Sequence, residues 1–250
     1  MRTEVYSQFF ALEETHWWFR AMRALQWQVL RAHGLPRGRV LDLGCGTGLW
    51  LRELSEVALA DGCDLSPEAL AFCRERGLPR LARASATDLP YRDGAYSLVT
   101  ALGLVEHVPD DRGMLREVHR VLAPGGHLLL LTSGHPSLWS EHDEAVHHQR
   151  RYTRAELRGK LEEAGFEVER LTHANLALTL PALAVRALRA VVPAARAEGY
   201  GTPDLFELPR PVNQLLYWAL RSEGALIRAV DLPAGLGILA LARRRDGAAR

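Results

Sequence analysis

Three glycines at alternate positions, Gly44, Gly46 and Gly48, follow the run Val40-Leu41-Asp42-Leu43 and lead into Leu49-Trp50-Leu51-Arg52-Glu53-Leu54. The local reading is strand, glycine turn, helix. Glycine accepts positive φ and leaves no Cβ between backbone and ligand, so the chain itself can touch what binds there. The open N–H groups at the start of the following helix favour an electron-rich or anionic group, of the kind nucleotide-like ligands carry. Asp64 stands twenty residues after Gly44, at the end of a second apolar run, where a carboxylate accepts hydrogen bonds from a ribose diol. His107, in Leu104-Val105-Glu106-His107, is a candidate general base because an imidazole ordinarily titrates near neutrality. Its alternative role is to bond the loop that follows. Glu141 to His148 gathers acids and imidazoles, but the spacing matches no common zinc pattern and no metal is expected.

Alternating strands and helices would position these groups. A helix over 48–57 leads to a strand ending at Asp64, and Ser66-Pro67-Glu68 supplies an N-cap, a first-turn proline and a first-turn acid for a helix to about Gly77. Leu81 to Ala84 and Tyr96 to Leu102 are the next strands. Asp110 and Asp111 open a helix that Pro124-Gly125-Gly126 stops, and His127 to Thr132 is the most apolar strand. Thr153 to Glu156 has capping-box form before a helix ending at Gly165, and Phe166 to Leu171 starts a further strand. This rhythm predicts a parallel sheet with ligands at the carboxyl ends of its strands. Residues 4–33 read as helical, with Trp17, Trp18 and Phe19 beside charge, either laid over the domain edge or closing as a lid. Two helices, 178–192 and about 211–230, precede a last strand over 235–242 and a basic end. The second places Val212, Leu215, Leu216, Ala219, Leu226 and Val230 at helical spacing, a face expected to pack on the sheet.

At 250 residues and 48% hydrophobic content the chain can bury a full core. A net charge of +1 gives no reason to expect nucleic acid. Cys45, Cys63 and Cys73 form no CxxC pair, which suits a reduced, cytoplasmic setting better than a disulfide framework. Met1 to Tyr6 carries no apolar signal region and no uncharged run is long enough to span a bilayer.

Two ligand classes share a strand, a glycine turn and an acid about twenty residues on. A dinucleotide fingerprint would need its third glycine at position 49, where Leu49 stands; Asp42 to Gly48 reads DxGxGxG, one residue early. The chain here resembles the class I S-adenosylmethionine-dependent methyltransferases, within them the type 11 methyltransferase domain. Leu41 to Gly48, Gly62 to Ser66, Asp88 to Asp93, Leu104 to Val108 and Glu117 to Gly126 carry the resemblance over about residues 38 to 132. It implies a doubly wound, mostly parallel seven-stranded Rossmann-like α/β sheet with helices on both faces and a helical insertion before the last strand. The division implied is an N-terminal helical lid (1–37), a cofactor core (38–174), an insertion capping the acceptor (175–232) and the last strand with its tail (233–250).

By the same resemblance S-adenosylmethionine is the cofactor and S-adenosylhomocysteine its product. Asp42, Gly44, Cys45, Gly46 and Gly48 form the turn that lines the methionine part; Asp64 holds the ribose hydroxyls and Leu65 packs on adenine. Ser85, Ala86 and Thr87 pass the adenine edge, Ser85 standing where the family often has an acid. Leu102 and Gly103 pass the sulfonium side, and Trp18 with Arg20 or Arg23 closes over the cofactor carboxylate. His142, His147 and Tyr152, after the fifth strand, are expected in the acceptor pocket. The expected activity is methyl transfer to an O, N or C atom of a small-molecule acceptor by a monomer or homodimer. Against it stand a lipid- or glycan-linked acceptor, with peripheral membrane contact, and a non-catalytic cofactor-binding module; a nicotinamide oxidoreductase is disfavoured by Leu49.

Overall fold

The computed structural model describes residues 3–179 and 208–245. Seven strands, β1 (Arg39–Leu43), β2 (Leu59–Asp64), β3 (Leu81–Arg83), β4 (Tyr96–Leu102), β5 (Leu122–Ser133), β6 (Phe166–Ala174) and β7 (Gly237–Arg244), form one sheet in the order β3-β2-β1-β4-β5-β7-β6. The first five pair parallel, and β7 runs antiparallel between β5 and β6. The α/β, mostly parallel architecture implied by the resemblance is the one observed, with β7 antiparallel where the alternating pattern alone predicted a parallel sheet. Between β2 and β4 the strand order reverses across β1, and this switch opens a crevice at the carboxyl ends of β1 and β4.

Pleating sends alternate strand residues to opposite faces. Val40, Leu98, Leu129 and Leu239 enter one apolar cluster, under α2 (Trp17–Ala32), α3 (Leu49–Ser55), α4 (Pro67–Glu75) and α8 (Arg210–Ala229). Leu41, Val99, Leu128 and Leu130 enter the other, under α5 (Asp111–Val121) and α7 (Arg154–Glu163). Covered on both sides, the strands read as continuous apolar runs. The helix starts follow the sequence: Ser66 Oγ accepts from the Ala69 N–H, Asp110 Oδ1 from Gly113 and Thr153 Oγ1 from Glu156.

Three expectations change. Residues 4–33 form two helices, α1 (Thr3–Leu12) and α2, because Glu13 to His16 leaves the helical path and His16 Nδ1 caps α2 by accepting from the Trp18 N–H at 3.3 Å. β5 begins at Leu122 and runs through Pro124-Gly125-Gly126, since Leu122 already pairs with Tyr96 across a register shift. The face of α8 is also reversed. Tyr217, Leu220 and Ile227 are buried along α2, where Gly224 admits Gln28, while Val212, Leu215, Leu226 and Val230 are exposed. The helix over 178–192 lies beyond the described residues from position 180 on, as does the basic end from 246. Among the described residues no helix is long and apolar enough to cross a membrane.

Gly48 begins α3 at φ 86°, and a Cβ there would lie 2.8 Å from Cys73 Sγ and 2.9 Å from Leu78 Cδ1. Gly48→Ala combines left-handed strain with overpacking and should lower stability by about 2–4 kcal/mol, read as a shift in urea midpoint.

Candidate active site at the carboxyl edge of the sheet

The parallel register sets Asp42 beside Gly62 on one strand and Thr100 on the other. Asp42 is buried, and its carboxylate accepts the Thr100 hydroxyl at 2.7 Å while Thr100 Oγ1 accepts from the Trp50 indole at 3.3 Å. Burial is the main cause that raises Asp42 to about 7, with the nearby Asp64 charge adding to it. Beyond Asp42 the chain turns upward through Gly44, whose N–H and that of Cys45 donate to the Cys63 carbonyl at 2.8 and 3.1 Å. Leu104 stands against Gly44, closing the turn toward β4.

Asp64 binds the turn from the neighbouring strand. Its Oδ2 accepts from the Gly46 N–H and its Oδ1 from the Ser66 N–H, each at 2.9 Å. Burial pushes its carboxyl up, against the pull of these amides. Gly46 has φ 54°, and no atom lies within 4 Å of the position its Cβ would take. The space over the turn is therefore open where backbone and carboxylate meet. Leu65, next to Asp64, is 63% exposed, an apolar platform at the same edge. Ser85, Ala86 and Thr87 follow β3 beside it; the Ser85 hydroxyl is engaged locally with the Thr87 N–H at 3.2 Å and the Thr87 hydroxyl at 2.8 Å. Leu102 ends β4, and Gly103 donates its N–H to the Leu131 carbonyl at 2.8 Å. The turn residues, Asp64, Leu65 and the 85–87 loop thus converge on one edge with Leu102 and Gly103.

Beyond β4 a short 3-10 turn carries Glu106 inward and His107 outward. Buried Glu106 accepts from the Thr132 hydroxyl at 2.9 Å and the Ser133 N–H at 3.3 Å. His107 Nδ1 lies 3.4 Å from the His147 carbonyl and its ring meets His148 edge-on, with centroids 4.7 Å apart. Burial lowers His107 to about 4, so the ring is neutral at pH 7 and is a weaker base than the ordinary value suggests. Of the two roles read from the sequence, the contact to the following loop is the one seen here.

Several expected site residues lie elsewhere. Tyr152 is fully buried, its hydroxyl donating to Asp111 Oδ2 at 2.8 Å and lying 3.3 Å from the Val105 carbonyl, so it braces α5 and the 3-10 turn and lines no acceptor pocket. Arg20 lies over the Tyr217 ring at 4.1 Å and reaches Gln214 on α8. Arg23 pairs with Glu53 at 2.8 Å and donates to the Glu13 carbonyl at 2.6 Å. Both guanidiniums make helix contacts in this structure, and Trp18 packs edge-on against Phe19 and against the apolar cluster under α2. His147 is exposed at φ 61° and offers its carbonyl to His107. His142 belongs to α6 (Glu141–Ala145), and its side chain lies outside those described. Asp143 in the same helix is a structural centre: it takes His148 Nδ1 at 2.8 Å, Arg151 at 2.6 Å and the Ser140 N–H at 2.8 Å, and these partners hold its carboxyl far below the usual range although burial acts the other way. Among the described residues no group of three His, Cys, Asp or Glu side chains is disposed to hold a metal ion.

The sequence reading did not separate α1 from α2 or give α1 a part beside the glycine turn. Tyr6, nearly buried, turns its phenol to Ser66 and Asp64, with burial first and the Asp64 charge second in raising it to about 12. Glu13, read as part of one long helix, sits in the α1–α2 corner with its carboxylate on the Thr47 hydroxyl at 2.7 Å. The only local signal was the polar interruption Glu13-Glu14-Thr15-His16 itself.

A glycine turn after β1, an acid ending β2 and this strand order make up the fold seen in class I S-adenosylmethionine-dependent methyltransferases. Residues 41–130 match the Methyltransf_11 family, described as "Methyltransferase domain". A Mycolicibacterium smegmatis protein named "Probable S-adenosylmethionine-dependent methyltransferase/" is 32% identical over 163 residues, 63% of this chain and 62% of that protein. The demethylmenaquinone methyltransferase of Thermus thermophilus is 42% identical over 101 residues, 37% of this chain and 46% of that one. The chain thus spans less than two thirds of the length of either relative. Among solved structures, a Thermotoga maritima S-adenosylmethionine-dependent methyltransferase superposes with TM-score 0.59 at 17% identity, covering 96% of this chain and 95% of that one. The [4+2]-cyclase SpnF superposes at 0.57 with 23% identity over 89% and 81%. These likenesses establish the fold.

Asp42 carries a pH prediction. An unfolded aspartate loses its proton near about pH 3.9 whereas folded Asp42 keeps it to about 7, so across that window the folded state binds more proton and stability falls as pH rises. Asp42→Asn keeps an oxygen for Thr100 and has no proton to lose. Urea midpoints followed from about pH 4.5 to about pH 7.5 should fall less steeply with pH in this variant than in wild type.

Proposed function

We propose that the protein transfers a methyl group from S-adenosylmethionine to an O, N or C atom of a small-molecule acceptor that enters at the carboxyl edge of β4 and β5. The observation carrying this reading is the open space over Gly46, bounded by the Asp64 carboxylate and by exposed Leu65. A polar diol suits the carboxylate, an apolar aromatic face suits Leu65, and backbone alone lines the turn between them. In this reading Gly44 to Gly48 hold the methionine part, Asp64 exchanges an amide contact for ribose hydroxyls, and Ser85 to Thr87 border the adenine. The bound cofactor supplies an electrophilic methyl carbon on a sulfonium.

The remaining work falls to the chain's own residues. Displacement at carbon needs the nucleophile held in line at near-attack distance with water excluded. His107 donates from Nδ1 to the His147 carbonyl, the tautomer that leaves Nε2 able to accept a proton from an acceptor hydroxyl. Since the ring stays neutral down to about 4, it is ready at physiological pH but suits an acidic hydroxyl best. The Thermus relative named for demethylmenaquinone and the relatives named for ubiquinone biosynthesis O-methylation support phenolic or quinol-type acceptors as the first class to assay. The 175–232 segment would cap the acceptor, and the setting would be cytoplasmic.

A second reading, a lipid-linked acceptor met at a membrane surface, is favoured by the exposed Leu215, Trp218 and Leu226 of α8 and by Val230 just after it. Flotation of the intact chain with anionic liposomes supports it, and flotation unchanged by Leu215→Ser with Trp218→Ser opposes it.

Calorimetry with S-adenosylmethionine and S-adenosylhomocysteine tests the main reading; no heat from either refutes it. Gly46→Ala, with open space around its Cβ, should cost only about 1–2 kcal/mol in stability yet weaken cofactor binding at least about tenfold. With a hydroxyl acceptor, His107→Ala should slow transfer by about 10²–10⁴ with cofactor affinity retained, and the wild-type rate should show no acidic limb from this group above about pH 5.

A further inference from the structure

The side chain of His148 lies beside the His107 ring and is only 8% exposed. Its Nδ1 donates to Asp143 Oδ1 at 2.8 Å, and its Nε2 stands 4.0 Å from Glu106 Oε1. Asp143 belongs to α6 and Glu106 to the 3-10 turn after β4, so one imidazole stands between the two segments. The backbone on either side of it makes the same crossing. The His147 carbonyl faces His107 Nδ1 at 3.4 Å, and the Gln149 N–H donates to the Glu106 carbonyl at 2.8 Å.

His147 takes φ 61°, a left-handed conformation that costs free energy in a residue with a Cβ. Left to itself, this peptide would relax and turn its carbonyl elsewhere. Two anchors at His148 oppose that: its N–H donates to the Asp143 carbonyl at 2.8 Å and its ring donates to the Asp143 carboxylate. Asp143 is itself fixed by Arg151 at 2.6 Å and by the Ser140 N–H at 2.8 Å. The strain at His147 is thus borne against a buried, charge-assisted centre one residue on.

The consequence falls on His107. An imidazole whose Nδ1 meets a carbonyl keeps its proton there and leaves Nε2 bare, whereas a histidine ring without such a partner favours the proton on Nε2. The His148 ring also stands edge-on to His107, with centroids 4.7 Å apart and planes at 70°, which hinders a flip that would exchange the two nitrogens. We infer that His148 is a positioning residue that decides which nitrogen of His107 is free to take a proton from the acceptor, by keeping the His147 carbonyl on Nδ1–H and by packing against the ring. This inference rests on the reading of His107 as the proton acceptor. His148 itself touches no reacting atom and acts only through His107.

The test is the tautomer of His107, read from long-range proton–nitrogen correlation spectra of the full chain without ligand at about pH 7. In wild type the Nδ1–H form should predominate, and in His148→Ala the Nε2–H form should. His148→Asn, whose amide can donate to Asp143, should return most of the Nδ1–H form. Predominance of Nε2–H in wild type overturns the inference whether or not a variant folds, as does an unchanged tautomer in folded His148→Ala. With catechol as the hydroxyl probe, His148→Ala should lower kcat about tenfold or more while KM and the Kd for S-adenosylmethionine stay within about twofold. A loss of cofactor affinity as large as the loss in kcat marks a merely structural role and overturns the inference. If wild type binds no S-adenosylmethionine, the methyl-transfer reading fails, and the ligand-free tautomer still decides what His148 does to His107.

Discussion

The site depends on a carboxylate shared between two strands. Asp64 ends β2 and holds the Gly46 N–H on one oxygen and the Ser66 N–H on the other, so the turn after β1 and the start of α4 are set by one group. The reach from β2 to the turn exists only because β1 and β2 are adjacent and parallel, with Leu43 opposite Cys63. Sheet register thus sets how the turn is held. Burial raises Asp64, and the amide hydrogen bonds offset part of that cost.

Around this group the carboxyl edge divides into two regions of different chemistry. Toward β1 and β2 the lining is backbone, glycine and one acid, with Leu65 exposed. Toward β4 and β5 it is a braced network in which Glu106 holds Thr132 and Ser133, and Asp143 holds His148, Arg151 and Ser140. In such a network each buried acid has its donors, which fixes the loops that carry His107 and His147. The positive φ of His135, His147 and Asn175 falls on this same edge. Strained backbone concentrated where loops leave the sheet is held by the bracing and is absent from the strands.

Much of this was legible in the chain. Strand and helix identity followed from apolar runs and from caps at Ser66, Asp110 and Thr153, which the structure reproduces to within a few residues. The turn and Asp64 were found by counting from Gly44. The failures are those of side chains whose partners are distant in sequence. Tyr152 was taken for a pocket residue because it follows β5, but it meets Asp111 across forty-one positions. The resemblance placed Arg20 or Arg23 over the cofactor carboxylate, whereas Arg20 here lies over the Tyr217 ring. The stripe read on α8 was placed on the wrong side: Tyr217, Leu220 and Ile227 are buried toward α2, where Gly224 lies beside Gln28.

The sequence by itself determined the elements, the glycine turn and the acid that answers it, because these depend on local conformational cost and on period, both written in neighbouring residues. Only the tertiary structure decided which charges are free to meet a ligand. Arg20, Arg23, Arg76 and Asp143 are all candidates by type, and each is consumed by a partner on another element. The reason is that a charge is removed from the list of binding groups by whatever lies within a few ångströms of it, and that distance is set by packing.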